Sequence, residues 1–209
     1  PSKIFSMDRR ELLKKIAILT GGVVIGGEVF LSGCTTGAKA GSFSPEIIAL
    51  LDEVGETIIP ATATPGAKAA AVGEFMKIMI TDCYTEAEQK VFTDGVEKLQ
   101  EVCTKMYGKS FMECTPQQRH DLLVSLEKEA KQFNDKKNEA EKEQKEIAKA
   151  AKQPFVGAPP HYYTMMKQLT LWGFFTSKTG MTETLRHLPV PGKYDGALPY
   201  KKGDKAWAE

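Results

Sequence analysis

Two short arrangements near the start of the chain invite chemistry from other proteins. Arg9 and Arg10, within Asp8-Arg9-Arg10-Glu11-Leu12-Leu13-Lys14, have the spacing of a twin-arginine export signal. Cys34 directly follows Leu31-Ser32-Gly33, the position at which a lipoprotein cysteine takes a diacylglycerol and becomes the new N-terminus after cleavage. Between them, Ile16 to Gly33 is apolar but interrupted by Gly21, Gly22, Gly26, Gly27 and Glu28. That stretch is too short and too broken for a permanent span and suits the apolar region of a leader. Met7 is read as the natural start. Asp8 and Leu12 stand where the twin-arginine pattern has Ser/Thr and Phe, and the alternative is an ordinary lipoprotein leader with a chance arginine pair, but the twin-arginine reading is the one preferred. Either way the expectation is a signal peptide over 1–33, a lipid-anchored tether over 34–43 and one folded domain over 44–209.

Beyond the leader, the residue types that usually carry catalysis are scattered. His120, His161 and His187 lie far apart and form no H-x-x-x-H or H-E-x-x-H, the spacings that put two imidazoles on one helix face toward a metal. There is no G-x-S-x-G nucleophile turn, and no strand followed by a glycine loop suited to a dinucleotide. No C-x-x-C-H is present to attach haem c. With Cys34 assigned to lipid, Cys83, Cys103 and Cys114 remain. Cys103 and Cys114 flank an expected turn and either pair as a disulfide or serve, like Cys83, as small apolar residues. The residues therefore specify no catalytic, cofactor-binding or metal site on this chain.

Charge excludes a further class. Of 28 basic and 27 acidic side chains, residues 1–33 hold five and three, so the remainder carries 23 and 24 and is close to neutral. No basic surplus is left for nucleic acid or for a second, electrostatic membrane anchor.

The elements that must position any functional residue are helical. Ser44-Pro45 opens a helix with Ile47, Leu51, Val54 and Ile58 at helical spacing, stopped by Pro60. A second runs from about Ala69 to Cys83 with Val72, Phe75, Met76, Met79 and Ile80 as its stripe. Thr85-Glu86-Ala87-Glu88 is a capping box for a third, carrying Val91, Phe92, Leu99, Val102 and Met106 and ending at Gly108. Thr115-Pro116-Gln117-Gln118 opens a fourth through Leu122, Leu123 and Leu126. From Glu127 to Gln153 the chain is Lys, Glu, Ala and Gln with few large apolar residues, which predicts a solvated helix or helical hairpin projecting from the body. Tyr162 to Phe175 is apolar on more than one side: a core helix, one face of which is also expected to meet a partner. Pro189 to Glu209 is too rich in Pro and Gly for regular structure. The expectation is an all-α, irregular bundle of about five helices with a charged projection (127–153) and an extended tail (189–209).

Several segments together resemble the gluconate 2-dehydrogenase subunit 3 family. They are the twin-arginine leader, Glu56 to Ala70 (ETIIPATATPGAKAA) running into Val72-Gly73-Glu74-Phe75, the Tyr107-Gly108-Lys109-Ser110-Phe111 turn, Leu169 to Ser177 (LTLWGFFTS), Gly180 to Leu185, and Pro189-Val190-Pro191-Gly192-Lys193-Tyr194. They span nearly all of the mature chain except the charged tract, which, with the lipobox, departs from the family. The resemblance implies a non-catalytic small subunit that carries the leader for a leaderless flavoprotein of the glucose-methanol-choline family. FAD would sit on that partner, which oxidises a sugar, sugar acid or glycoside, and a c-type cytochrome subunit would pass electrons on through its haem c. The small subunit would then serve in folding, co-export and anchoring, on the periplasmic side of a bacterial membrane.

On this reading the partner is met by aromatic and apolar anchors: Tyr163, Trp172 and Phe175 on the last helix, and Val190, Tyr194, Leu198 and Tyr200 on the tail. The competing hypothesis is an independent periplasmic lipoprotein that acts as a binding or scaffold module. The leader yields its own test. Mass spectrometry of protein extracted from membranes should find a chain that begins at an acylated Cys34; an unmodified chain beginning elsewhere refutes the lipid anchor.

Overall fold

The computed structural model describes residues 43–190, 192–193 and 195–208. Arg9, Arg10, Cys34 and Tyr194 lie outside the described residues. Within them the chain is all-α: helices α1 (Pro45–Ile58), α2 (Val72–Cys83), α3 (Glu86–Tyr107), α4 (Pro116–Ala150) and α5 (Tyr162–Thr176). Short 3-10 turns at Ala67–Ala70 and Phe111–Glu113 and one π turn at Gly180–Thr184 join or follow them. No helix among the described residues is long and apolar enough to cross a membrane.

The helix starts follow from local side-chain chemistry. The Ser44 hydroxyl accepts from the Ile47 amide, Thr85 and Glu88 close a reciprocal box, and Thr115 and Gln118 close another. Each satisfies amides that the first helical turn leaves without partners. Phe43, at the end of the expected tether, packs its ring 6.2 Å from that of Phe92.

The start of α2 is different, because it depends on a residue far away in sequence. Ala71 sits in the left-handed region (φ 51°) and offers no capping side chain, so the second helix begins as a 3-10 turn and not as α-helix from Ala69. The Gly73 amide is instead capped by Asp52 Oδ1 on α1, at 2.7 Å. One turn on, Glu56 accepts from the amides of Ala61 (2.8 Å) and Lys68 (2.9 Å), so a single carboxylate clamps both ends of the loop between α1 and α2. Gly66 is needed there because a Cβ would stand 2.3 Å from the Glu56 carboxylate oxygens. Hydrogen bonds to a charged acceptor are each worth about 1.5–3 kcal/mol, enough to hold a loop with little apolar area of its own. Between Asp52 and Glu56, Glu53 pairs with Lys68 and with Arg119 of α4.

α5 is the centre of the bundle and touches each of the other four helices. Tyr162, Tyr163, Met165, Met166, Leu169 and Phe174 are buried with Leu50, Leu51 and Val54 of α1, Val72, Met76 and Ile80 of α2, Phe92, Val96, Leu99 and Cys103 of α3, and Leu122, Leu123 and Leu126 of α4. On α3 the buried stripe is rotated from the expected one: Val96 and Cys103 are inside, whereas Met106 is half-exposed.

α4 is one continuous helix of 35 residues, about 52 Å long. Of the two expected forms, a helix or a helical hairpin, the tract takes the single helix, but it is not wholly solvated. After Ala150 the chain turns back, with Lys152 in the left-handed region (φ 54°), and runs along the helix it has just left. Glu141 lies buried under this return, accepting from the Ala158 amide at 2.7 Å and flanked by Lys137 and Lys145. Asn134 accepts from the His161 amide and donates to Thr164, which fixes the start of α5. The sequence pattern misses these contacts because each pairs a polar residue with a segment 17 to 30 positions away.

The α1 carboxylates carry a pH signature. Burial alone would raise the Glu53 carboxyl, but the hydrogen bond from Lys68 and the charges of Arg119 and Lys68 outweigh it and hold the group below 4.5. Its contribution is thus present above about pH 4.5 and is lost as the pH falls through the lower folded value. Burial raises Asp52, against the Gly73 hydrogen bond, so its contribution has the opposite sign. Glu53→Gln should be less stable than wild type at pH 7 and should lose less stability between pH 5 and pH 3, as read from urea midpoints. A variant whose acid limb matches that of wild type overturns this assignment.

Candidate functional site

Every turn of α5 contributes buried residues to the core, but one side of the helix does not. Leu171, Trp172 and Phe175 lie at the i, i+1 and i+4 positions of that side and are 38%, 51% and 39% exposed. Trp172 leans edge-on against Phe75 of α2, ring centroids 5.8 Å apart. Phe75 in turn packs over Gly173, where a Cβ would stand 2.7 Å from its ring, so the glycine lets α2 and α5 approach closely enough to set the two rings together. One turn further along α2, Ile78 is 55% exposed. The result is an apolar, aromatic strip spread over two packed helices. Exposed apolar side chains grouped this way mark contact surfaces, and aromatic anchors of this kind dominate binding energies.

The strip contains two of the expected anchors, Trp172 and Phe175. Tyr163 is not among them: it is 4% exposed and packs in the core, because it falls on the inward side of α5 with Met166 and Thr170. Burial pushes the Tyr163 hydroxyl up to about 12. Ile78 and Phe75 were not anticipated as anchors. The available signal was that Ile78 falls off the apolar stripe formed by Met76 and Ile80.

The tail is partly fastened. Arg186 donates its amide to the Ala206 carbonyl (2.8 Å) and accepts from the Ala208 amide (3.1 Å), and its guanidinium lies 4.1 Å from the Trp207 ring centroid. Lys205 Nζ also donates to the Glu183 carbonyl. These contacts return the end of the tail to the π turn behind α5. Between the two fixed ends Val190, Leu198 and Tyr200 are exposed, Val190 and Tyr200 at 78%. A segment tied at both ends presents its side chains at lower entropic cost than a free terminus.

The histidines stay apart. His161 is buried and caps α5, its Nδ1 accepting from the Tyr163 amide at 3.3 Å. Burial lowers its pKa against the pull of Glu129, so the ring is neutral and structural at physiological pH. His120 and His187 are exposed on different elements. No three His, Cys, Asp or Glu side chains among the described residues are grouped as a metal site would require. Cys103 and Cys114 meet inside the body with their sulfurs 3.3 Å apart, and Cys83 is exposed.

An all-α body with an exposed aromatic strip presents a surface of the kind that meets another chain. Comparison with known families makes this specific. Residues 45–192 match gluconate 2-dehydrogenase subunit 3, and the chain belongs to that family, an accessory subunit of a dehydrogenase complex. No curated protein and no solved structure matches the chain significantly.

The strip and the core should separate cleanly by mutation. Phe174→Ala empties a fully buried site and should cost about 3–5 kcal/mol. Trp172→Ala removes a half-exposed ring and one aromatic contact, and should cost about 1 kcal/mol. Chemical denaturation of the purified chain reads both; equal losses would make Trp172 a core residue and remove it from the strip.

Proposed function

We propose that this chain is the non-catalytic small subunit of a periplasmic, membrane-anchored dehydrogenase. Its catalytic partner is a glucose-methanol-choline flavoprotein that carries FAD and oxidises a sugar, sugar acid or glycoside. The chain acts in folding, twin-arginine co-export and, through lipid on Cys34, anchoring of that flavoprotein. A c-type cytochrome is the onward electron carrier. The observation that carries the reading is membership of the subunit 3 family over residues 45–192. Two others support it. The Arg9-Arg10 leader addresses cargo that folds before export, which suits a cofactor-loaded companion better than a small helical chain exported for its own sake. The exposed Leu171, Trp172, Phe175 and Ile78, with Val190, Leu198 and Tyr200 on the tethered loop, give a flavoprotein an apolar surface to cover.

The test uses the leader, since a leaderless partner crosses the membrane only when bound to this chain. Arg9→Lys combined with Arg10→Lys should leave both this chain and the flavoprotein in the cytoplasm, with periplasmic dehydrogenase activity lost. Normal periplasmic activity in the double variant rejects the escort role.

A further inference from the structure

α3 ends at Tyr107, and only the turn Gly108–Cys114 separates it from the cap of α4. Inside that reversal Cys103 is fully buried and Cys114 is 4% exposed, their sulfurs 3.3 Å apart. The surroundings hold both side chains in place. Ser110 and Glu113 close a capping box across the turn, and Gln100 accepts from the Phe111 amide. Arg119 donates to the Phe111 and Met112 carbonyls while pairing with Glu53. The turn is therefore gripped from α3, α4 and α1 before any covalent bond is considered, and the two sulfurs already stand 3.3 Å apart, against the ~2.05 Å of a disulfide.

We propose that Cys103 and Cys114 are a modification site: a preformed dithiol that is oxidised after folding into a disulfide strapping the end of α3 to the turn before α4. The co-reactant is a disulfide donor, small-molecule or protein. Cys114, the less buried residue of the two, attacks the donor as thiolate, forming a mixed disulfide and releasing one donor thiol. Cys103 then displaces the second donor sulfur. The two S–H bonds break, one S–S bond forms, and the donor disulfide takes up the two electrons and leaves as two thiols. Burial, and then the neighbouring Cys114 sulfur, push the Cys103 thiol up to about 12; the opening attack falls to Cys114 because it is the less buried of the two residues. The same burial makes the reaction slow and shields the product from external thiols. Cys83, exposed and distant in sequence, has no such neighbour among the described residues.

This inference is independent of the export reading, because it concerns only the folded chain and a disulfide donor. The purified full chain is incubated, folded, with oxidised glutathione, then alkylated in denaturant and digested with trypsin. Cys103 and Cys114 fall in separate peptides, Leu99–Lys105 and Ser110–Arg119. The expected product joins these two peptides, while Cys83 is recovered alkylated or glutathionylated and serves as an internal clock. The thermal midpoint should rise by roughly 5 °C on oxidation. It should not rise in the Cys103→Ala, Cys114→Ala double variant. Recovery of both cysteines as alkylated peptides after Cys83 has fully reacted overturns the proposal, as does linkage through Cys83 or an unchanged midpoint; the peptide map on wild type needs no variant to fold.

Discussion

The arrangement depends first on three carboxylates placed within five residues of α1. Asp52, Glu53 and Glu56 are partly buried, a costly position for charge, and each is matched by donors from a different segment: the Gly73 amide, Lys68 with Arg119, and the Ala61 and Lys68 amides. Together they set where α2 starts, what path the Pro-rich loop takes, and how the turn before α4 docks. An apolar contact would tolerate sliding by a residue, whereas a carboxylate shared between two amides does not, so α1 positions α2 and α4 closely.

That positioning decides what α5 can do. With α1 to α4 packed around it, the helix has room to bury Tyr162, Tyr163, Met166, Leu169 and Phe174, and none left for Leu171, Trp172 and Phe175. The exposed side is thus a consequence of bundle geometry: four neighbours cover most of a helix's circumference and leave one strip. Phe75 extends the strip onto α2 because Gly173 lets the helices approach. Covering this strip requires a second surface, which accords with membership of a family of accessory subunits.

The charged half of α4 and the tail show another device. Both are weakly apolar, and both are held by discrete polar contacts: Glu141 and Asn134 for the return to α5, Arg186 with Trp207 for the end of the chain. Because these contacts are few and specific, each segment keeps a defined path at small cost in buried area. Asn134 also links the long helix to the cap of α5, so the part of the tract nearest the body is structural, whereas Ile147, 62% exposed, lies in a part that is not covered.

The sequence alone determined the all-α class, the caps at Ser44, Thr85 and Thr115 and the central role of Tyr162 to Phe175, because caps and helical periodicity are written within a few residues; its motifs carried the resemblance to the family, which the match over residues 45–192 shows. The tertiary structure alone decided the Glu56 clamp, the Asp52 cap, the burial of Glu141 and the choice of a single long helix between the two forms the charged tract allowed, since each depends on residues brought together from distant positions. It also decided which side of a helix apolar all round faces outward, moving Tyr163 inside and leaving Trp172 and Phe175 outside. A residue's type and spacing state which faces a helix has; only the neighbours packed against it determine which face is covered.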